Sequence, residues 1–207
     1  MLRLILVLIT SCSLNNANAA ETLNVAYGKL SLIDLGSLIQ NDPIILDDSL
    51  LRIQTLSGLN EEDKKSIIAI QGLKEEGSTD LTVRTASGIY QFHIILNPDK
   101  RGDLIMNPLN AKTKILKSKF PLSKNRMTLV SLPKHINEYV LAGNTNLISL
   151  KQVVTDEDPE FLKTFALSTA NSYGSTDVVV ASKSGVYKFE LEIGDGDHTE
   201  NISLYGR

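Results

Sequence analysis

A single offset of 97 residues lays the second half of this chain over the first, without a gap, across residues 23–95. The match is closest downstream, where GSTDLTV at Gly77 to Val83 and SGIYQF at Ser87 to Phe92 return as GSTDVVV at Gly174 to Val180 and SGVYKF at Ser184 to Phe189. Upstream, KLSLIDL at Lys29 to Leu35 answers RMTLVSL at Arg126 to Leu132 by conservative replacement. A period this long marks one small domain copied in tandem, not a solenoid. Each copy holds about 75 residues, near the lower size limit for independent stability, so each core must be compact.

The first twenty residues read as an export signal: Arg3, an apolar run from Leu4 to Ile9, and Ala17-Asn18-Ala19 as a small-x-small cleavage site before Ala20. The run is too short for a membrane-spanning helix, which needs about 20 apolar residues. Ile9-Thr10-Ser11-Cys12 overlaps this signal and resembles a lipobox, which makes Cys12 a possible lipidation site. Cleavage after Ala19 would leave a mature chain without cysteine, and so without a disulfide, a thiolate nucleophile or a Cys-ligated metal. The expected location is the periplasm, with an outer-membrane lipoprotein or the cell surface as the alternative.

Within each copy the dominant period is two. Leu81, Val83 and Thr85 share one face, and Tyr90, Phe92, Ile94 and Leu96 share another; Val178, Val180, Tyr187, Phe189, Leu191 and Ile193 repeat the pattern. These are expected to be half-buried antiparallel strands, joined at Ser87-Gly88 and Ser184-Gly185 by tight turns with a residue at positive φ. Shorter apolar runs precede them, at Leu23 to Ala26, Leu30 to Leu35, Ile44 to Leu46, Leu50 to Leu56 and Ser66 to Gln71. Gly28 in the first copy stands where Asn125 stands in the second, an exchange between the two residues most tolerant of the left-handed region. Gly28, Gly77, Gly88, Gly174 and Gly185 are the expected turn residues.

Short strands at this spacing predict an all-β chain: two tandem Ig-like β-sandwich domains at residues 21–97 and 118–194, after a signal peptide at 1–20. Residues 98–117 read as a basic linker and 195–207 as a flexible tail. A short helix in each domain stays open, at Leu35 to Gln40 and at Pro159 to Phe165, where Asp158 could cap and Pro159 would take the first helical position.

The stretches NDPIILDDSLLRIQTL and GLKEEGSTDLTVRTASGIYQFHI resemble the pilus formation protein N-terminal region, found at the front of secretins. Asp42-Pro43 and Asp47 match its corner, and Gly72, Gly77, Thr79, Leu81 and Val83 match its second motif. The second copy keeps Gly174, Thr176, Val178 and Val180 but has Thr169 and Asn144-Thr145 where the first Gly and the acidic corner would fall. A secretin continues for several hundred residues into a pore, whereas this sequence ends at Arg207. The resemblance therefore implies an accessory of pilus assembly or secretion, working through envelope protein partners. Adhesion or ligand binding at the cell surface by an Ig-like protein is the alternative.

Chemistry is sparse by comparison. His93, His135 and His198 are far apart and none has a second ligand at metal-binding spacing. Asp195-Gly196-Asp197 lacks the closing Glu of a calcium loop. The acidic runs Asp47-Asp48, Glu61-Glu62-Asp63, Glu75-Glu76 and Asp156-Glu157-Asp158 fall in expected loops, where they favour solubility and turns over catalysis. No catalytic, metal or cofactor site is expected. A net charge of −3 and only 5% aromatic residues argue against nucleic acid as a partner. What remains is recognition by sheet edges and loops, with Arg84, Lys183 and Lys188 as charges that could guard an edge.

Overall fold

Alternating side chains resolve into strands, and among the described residues there is no α-helix. The computed structural model describes residues 21–57, 65–98, 104–106, 115–153, 163–195 and 201–204. The first domain contributes β1 (Glu21–Val25), β2 (Leu30–Asp34), β3 (Ile44–Ile45), β4 (Leu51–Ser57), β5 (Lys65–Gly72), β6 (Gly77–Thr85), β7 (Gly88–Leu96) and β8 (Leu104–Met106). The second contributes β9 (Ile115–Leu122), β10 (Met127–Ser131), β11 (Ile136–Ala142), β12 (Ser149–Gln152), β13 (Thr164–Ser168), β14 (Gly174–Ser182), β15 (Gly185–Ile193) and β16 (Asn201–Ser203). The bounds of β2, β6, β7 and β8 recur 97 residues later as those of β10, β14, β15 and β16.

Each domain is an Ig-like sandwich of two four-stranded sheets. In the first domain the front sheet runs β1-β7-β6-β3 and the back sheet β4-β5-β2-β8; in the second they run β9-β15-β14-β11 and β12-β13-β10-β16. The long hairpin pairs antiparallel from Gly77 opposite Leu96 to Thr85 opposite Gly88. Its copy runs from Gly174 opposite Ile193 to Ser182 opposite Gly185. The opening and closing strands instead pair parallel: β1 with β7 and β8 with β2, then β9 with β15 and β16 with β10.

Those parallel strands correct two of the expected boundaries. Residues 98–117 are not only a linker: β8 completes the first back sheet and β9 already begins at Ile115. Residues 195–207 are not only a tail, since β16 lies on β10 and Leu204 N–H donates to the Ser131 carbonyl. Both strands are three residues long, too short for a period-two signal to show. Nor is Leu35 to Gln40 a helix. Backbone bonds tie it alongside neighbouring strands, with Ile39 N–H donating to Lys65 and Gln40 N–H to Arg84. Asp158 and 159–162 lie outside the described residues, and Thr164 and Phe165 open β13.

Two separate cores fill the sandwiches. In the first, Leu23, Val25, Ile33, Ile68, Ile70, Leu81, Val83, Phe92 and Ile94 are buried between the sheets. In the second, Phe120, Val130, Phe165, Val178, Val180, Tyr187, Phe189 and Leu191 take that place. Gly28 and Asn125 have φ of 65° and 58°. Gly77, Gly88, Gly174 and Gly185 lie between 138° and 148°. An added Cβ at Gly88 would meet nothing within 4 Å, so a substitution there strains the backbone without a clash.

Candidate functional site

The hairpin strands were expected to be buried on one face only, and in the first domain they are: β6 alternates, with Asp80 and Arg84 exposed between buried Leu81, Val83 and Thr85. In the second domain β14 is buried at every residue from Thr176 to Ser182. A third apolar cluster explains this. Leu30, Leu32, Leu56, Ile67 and Ala69, on the outer face of the first domain's back sheet, pack against Val179, Ala181 and Val186, on the outer face of the second domain's front sheet. The two sandwiches are thus joined sheet to sheet, and burying this surface is what favours the joint.

At the joint a charged pair meets a backbone. Lys188 Nζ lies 3.2 Å from Asp177 Oδ2, with the two side chains only 1% and 2% exposed. The Leu30 N–H donates to Asp177 Oδ1 and Oδ2 at 3.0 Å each, and Lys188 Nζ donates to the Leu30 carbonyl at 2.5 Å. One residue of the first domain therefore has both its backbone groups bound by side chains of the second. Such charge-assisted bonds fix register as well as adding energy. Burial pushes the Asp177 carboxyl above the usual carboxylate range, against the opposing effects of the Lys188 ammonium and the Leu30 N–H. Because both charges are committed to each other and to Leu30, their role is to hold the joint.

Around the pair, Lys29 Nζ donates to Ser175 Oγ at 3.2 Å and the Gln71 side-chain amide donates to the Gly143 carbonyl. Gly143 is a point of close approach. A Cβ there would fall on Asp177 Oδ1 and 2.6 Å from the Gly28 carbonyl. Gly143→Val should therefore part the domains while leaving both sandwich cores folded. Small-angle scattering should report a larger radius of gyration with the β-sheet circular dichroism unchanged; an unaltered radius would show that the approach is not tight. Beside the joint, Tyr27, Lys29, Lys119, Asn144 and Glu190 line a cleft of about 430 Å³.

Lys188, expected to guard an edge, instead sits on inner strand β15 and is buried. The other two charges face solvent more fully, Arg84 on β6 and Lys183 in the β14–β15 turn. His93 bonds Asp80 at 2.8 Å on the open front face of the first domain. His198 and Cys12 lie outside the described residues. The residues of the secretin-like motif form corners. Asp47 accepts from Ser49 N–H and Oγ, and its own N–H donates to Thr79 Oγ1 at 2.9 Å. The second copy rebuilds this with Asn144, which accepts from Asn146 N–H and donates to Thr176 Oγ1 at 2.8 Å. An amide oxygen serves as well as a carboxylate here, which is why the acidic corner could be lost.

The joint did leave a trace in the sequence. At equivalent outward positions the first copy has Thr82, Arg84, Ile89 and Gln91 and the second Val179, Ala181, Val186 and Lys188. Two of the four, Thr82 and Arg84, are answered by the apolar Val179 and Ala181, and that difference between repeats is the signal of a covered face.

Among the described residues no group of three or more His, Cys, Asp or Glu side chains could hold a metal ion, and no helix is long and apolar enough to cross a membrane. No family model and no curated protein matches the chain. Among solved structures, domains 5–6 of the S-layer protein SbsC are 10% identical, with 86% of this chain and 96% of that one covered and a TM-score of 0.30. The titin domains Z1Z2 in complex with telethonin are 11% identical, covering 87% and 93% at a TM-score of 0.20. The extracellular portion of mouse CD200RLa is 10% identical, covering 84% and 100% at 0.21.

Proposed function

We propose that this chain is an exported, non-enzymatic protein-interaction module, held as one two-domain body by its joint, and that it serves in the periplasm as an accessory of pilus assembly or of a secretin-based secretion system. The observation that carries the interaction reading is the front face of the first domain. It is the counterpart of the face that the second domain buries in the joint, and here it lies open. Ile44, Leu46 and Ile89 are 70%, 79% and 43% exposed on it. β3, only two residues long, forms its edge beside β6. Exposed apolar groups beside a short edge strand suit a protein partner that adds a strand or lays a sheet face there. The secretion role is supported by the resemblance of the corner motif, and export by the leader.

In-cell cross-linking followed by purification tests this. Secretin or pilus subunits should be captured with the wild-type chain and lost with Leu46→Asp, in a periplasmic fraction protected from protease in intact cells. Exposure at the outer cell surface without such subunits would replace the secretion role with adhesion.

A further inference from the structure

The joint leaves one charged group unexplained. Glu190 stands directly opposite Asp177 in the β14–β15 register, so two carboxylates are cross-strand neighbours on the outward face. Like charges in that arrangement cost stability. In the first domain the same place holds His93, which bonds Asp80. The cations near Glu190 are engaged elsewhere. Lys188 is held by Asp177 and the Leu30 carbonyl, and Lys119, opposite Glu190 on β9, bonds Glu192 Oε1 at 2.6 Å. Among the described residues the Glu190 carboxylate has no hydrogen-bond or ion-pair partner. A half-buried carboxylate held where it costs the fold stability points to a role in binding.

Glu190 lines the cleft of about 430 Å³ beside the joint, to which the first domain contributes Tyr27 and Lys29. We propose that this cleft binds a neutral saccharide. Two further polar groups in it are free among the described residues: the Tyr27 hydroxyl, and the Asn144 amide nitrogen, whose companion oxygen is taken by the Asn146 N–H. A sugar hydroxyl both donates and accepts, so neighbouring hydroxyls can donate to Glu190 and accept from Asn144. Tyr27, 47% exposed, supplies an aromatic surface for the apolar C–H face of a sugar ring. Charge favours a neutral ligand, because Lys29, Lys119 and Lys188 in the lining balance Asp177, Glu190 and Glu192. A concave site between domains, with a few placed polar groups, is where small ligands bind. Its walls come from both domains, so the ligand would also tighten the joint. The cleft is separate from the open front face of the first domain, and its ligand is independent of the partner docked there.

NMR titration of the isotope-labelled full chain with two neutral disaccharides, cellobiose and N,N′-diacetylchitobiose, tests this. Amide shifts should gather at Tyr27, Asn144 and Glu190 and saturate, and Tm should rise with added ligand. Tyr27→Ala and Glu190→Gln should each weaken binding by about tenfold. Tyr173→Ala, at an exposed tyrosine outside the cleft, should leave binding unchanged. Glu190→Gln should also leave Tm unchanged or raise it, because it relieves the repulsion of Asp177, whereas loss of a residue kept for stability would lower it. Retention on insoluble chitin or cellulose would identify a glycan chain as the source, and binding of the disaccharides alone a free sugar. Absence of shifts with both disaccharides at tens of millimolar overturns the proposal, as does binding that survives both cleft variants. Tri-lysine bound at Glu190 in place of either sugar also overturns it and makes the ligand a basic peptide. Capture of envelope subunits through Leu46 is read separately, so either reading can fail without the other.

Discussion

Lys188→Met will destabilise the joined protein by about 3–5 kcal/mol, and Lys188→Met with Asp177→Leu will cost much less than that single change. The single variant strands a carboxylate that is 2% exposed and removes the donor to the Leu30 carbonyl. The double variant removes both charges and extends the apolar surface of Val179, Ala181 and Val186, and its remaining cost is the Leu30 N–H and carbonyl left without side-chain partners. The single variant's loss is bounded by the strength of the joint, because once parting the domains is cheaper than burying a lone charge, the carboxylate regains water. Equilibrium denaturation with scattering separates the two costs. A double variant as unstable as the single one would mean that the pair is not what the joint depends on.

The same pair sets a pH dependence. The Asp177 carboxyl is raised above its ordinary value of 3.8, so the folded state holds that proton more tightly than the unfolded chain does. Stability from this group is then fullest below 3.8 and is lost as pH rises from there through the folded value. Measured against the double variant, the wild type should lose stability across that window. A gain would reverse the sign of the burial effect.

Phe189→Ala will cost about 3–5 kcal/mol and act on the second domain. Phe189 is fully buried, and its ring lies 5.7 Å from Phe120, 5.8 Å from Phe165 and 6.2 Å from Tyr187. Among the described residues the first domain has no such cluster: Leu23 and Ile68 stand for Phe120 and Phe165, and Phe92 stacks on Tyr90, at 6.4 Å. Hydrogen exchange should lose protection in β13, β14 and β15 while β5, β6 and β7 keep theirs, because the two cores are separate. Equal loss in both domains would mean that one cooperative unit spans them.

The long hairpins were legible because nine-residue strands such as β6 carry enough alternation to specify both element and inward face, whereas in β14 the apolar run Val178 to Ala181 marks the element but not which face is covered. β8 and β16 were not, since three residues cannot show a period and their parallel partners lie far away in sequence. The corner at Asp47 was visible as a motif. That Asn144 would rebuild the same bonds only the coordinates could say.

Local chemistry, by itself, determined the repeat, the two sandwiches and the turns, because alternation and turn propensity act over a few residues and every copy must satisfy them. Which outward faces are covered was decided by tertiary structure. Asp80 and Asp177 occupy the same place in the same motif, yet one meets solvent beside His93 and the other lies buried against Lys188 and Leu30. Burial of an outward face depends on what docks there, and that surface belongs to residues almost 150 positions away.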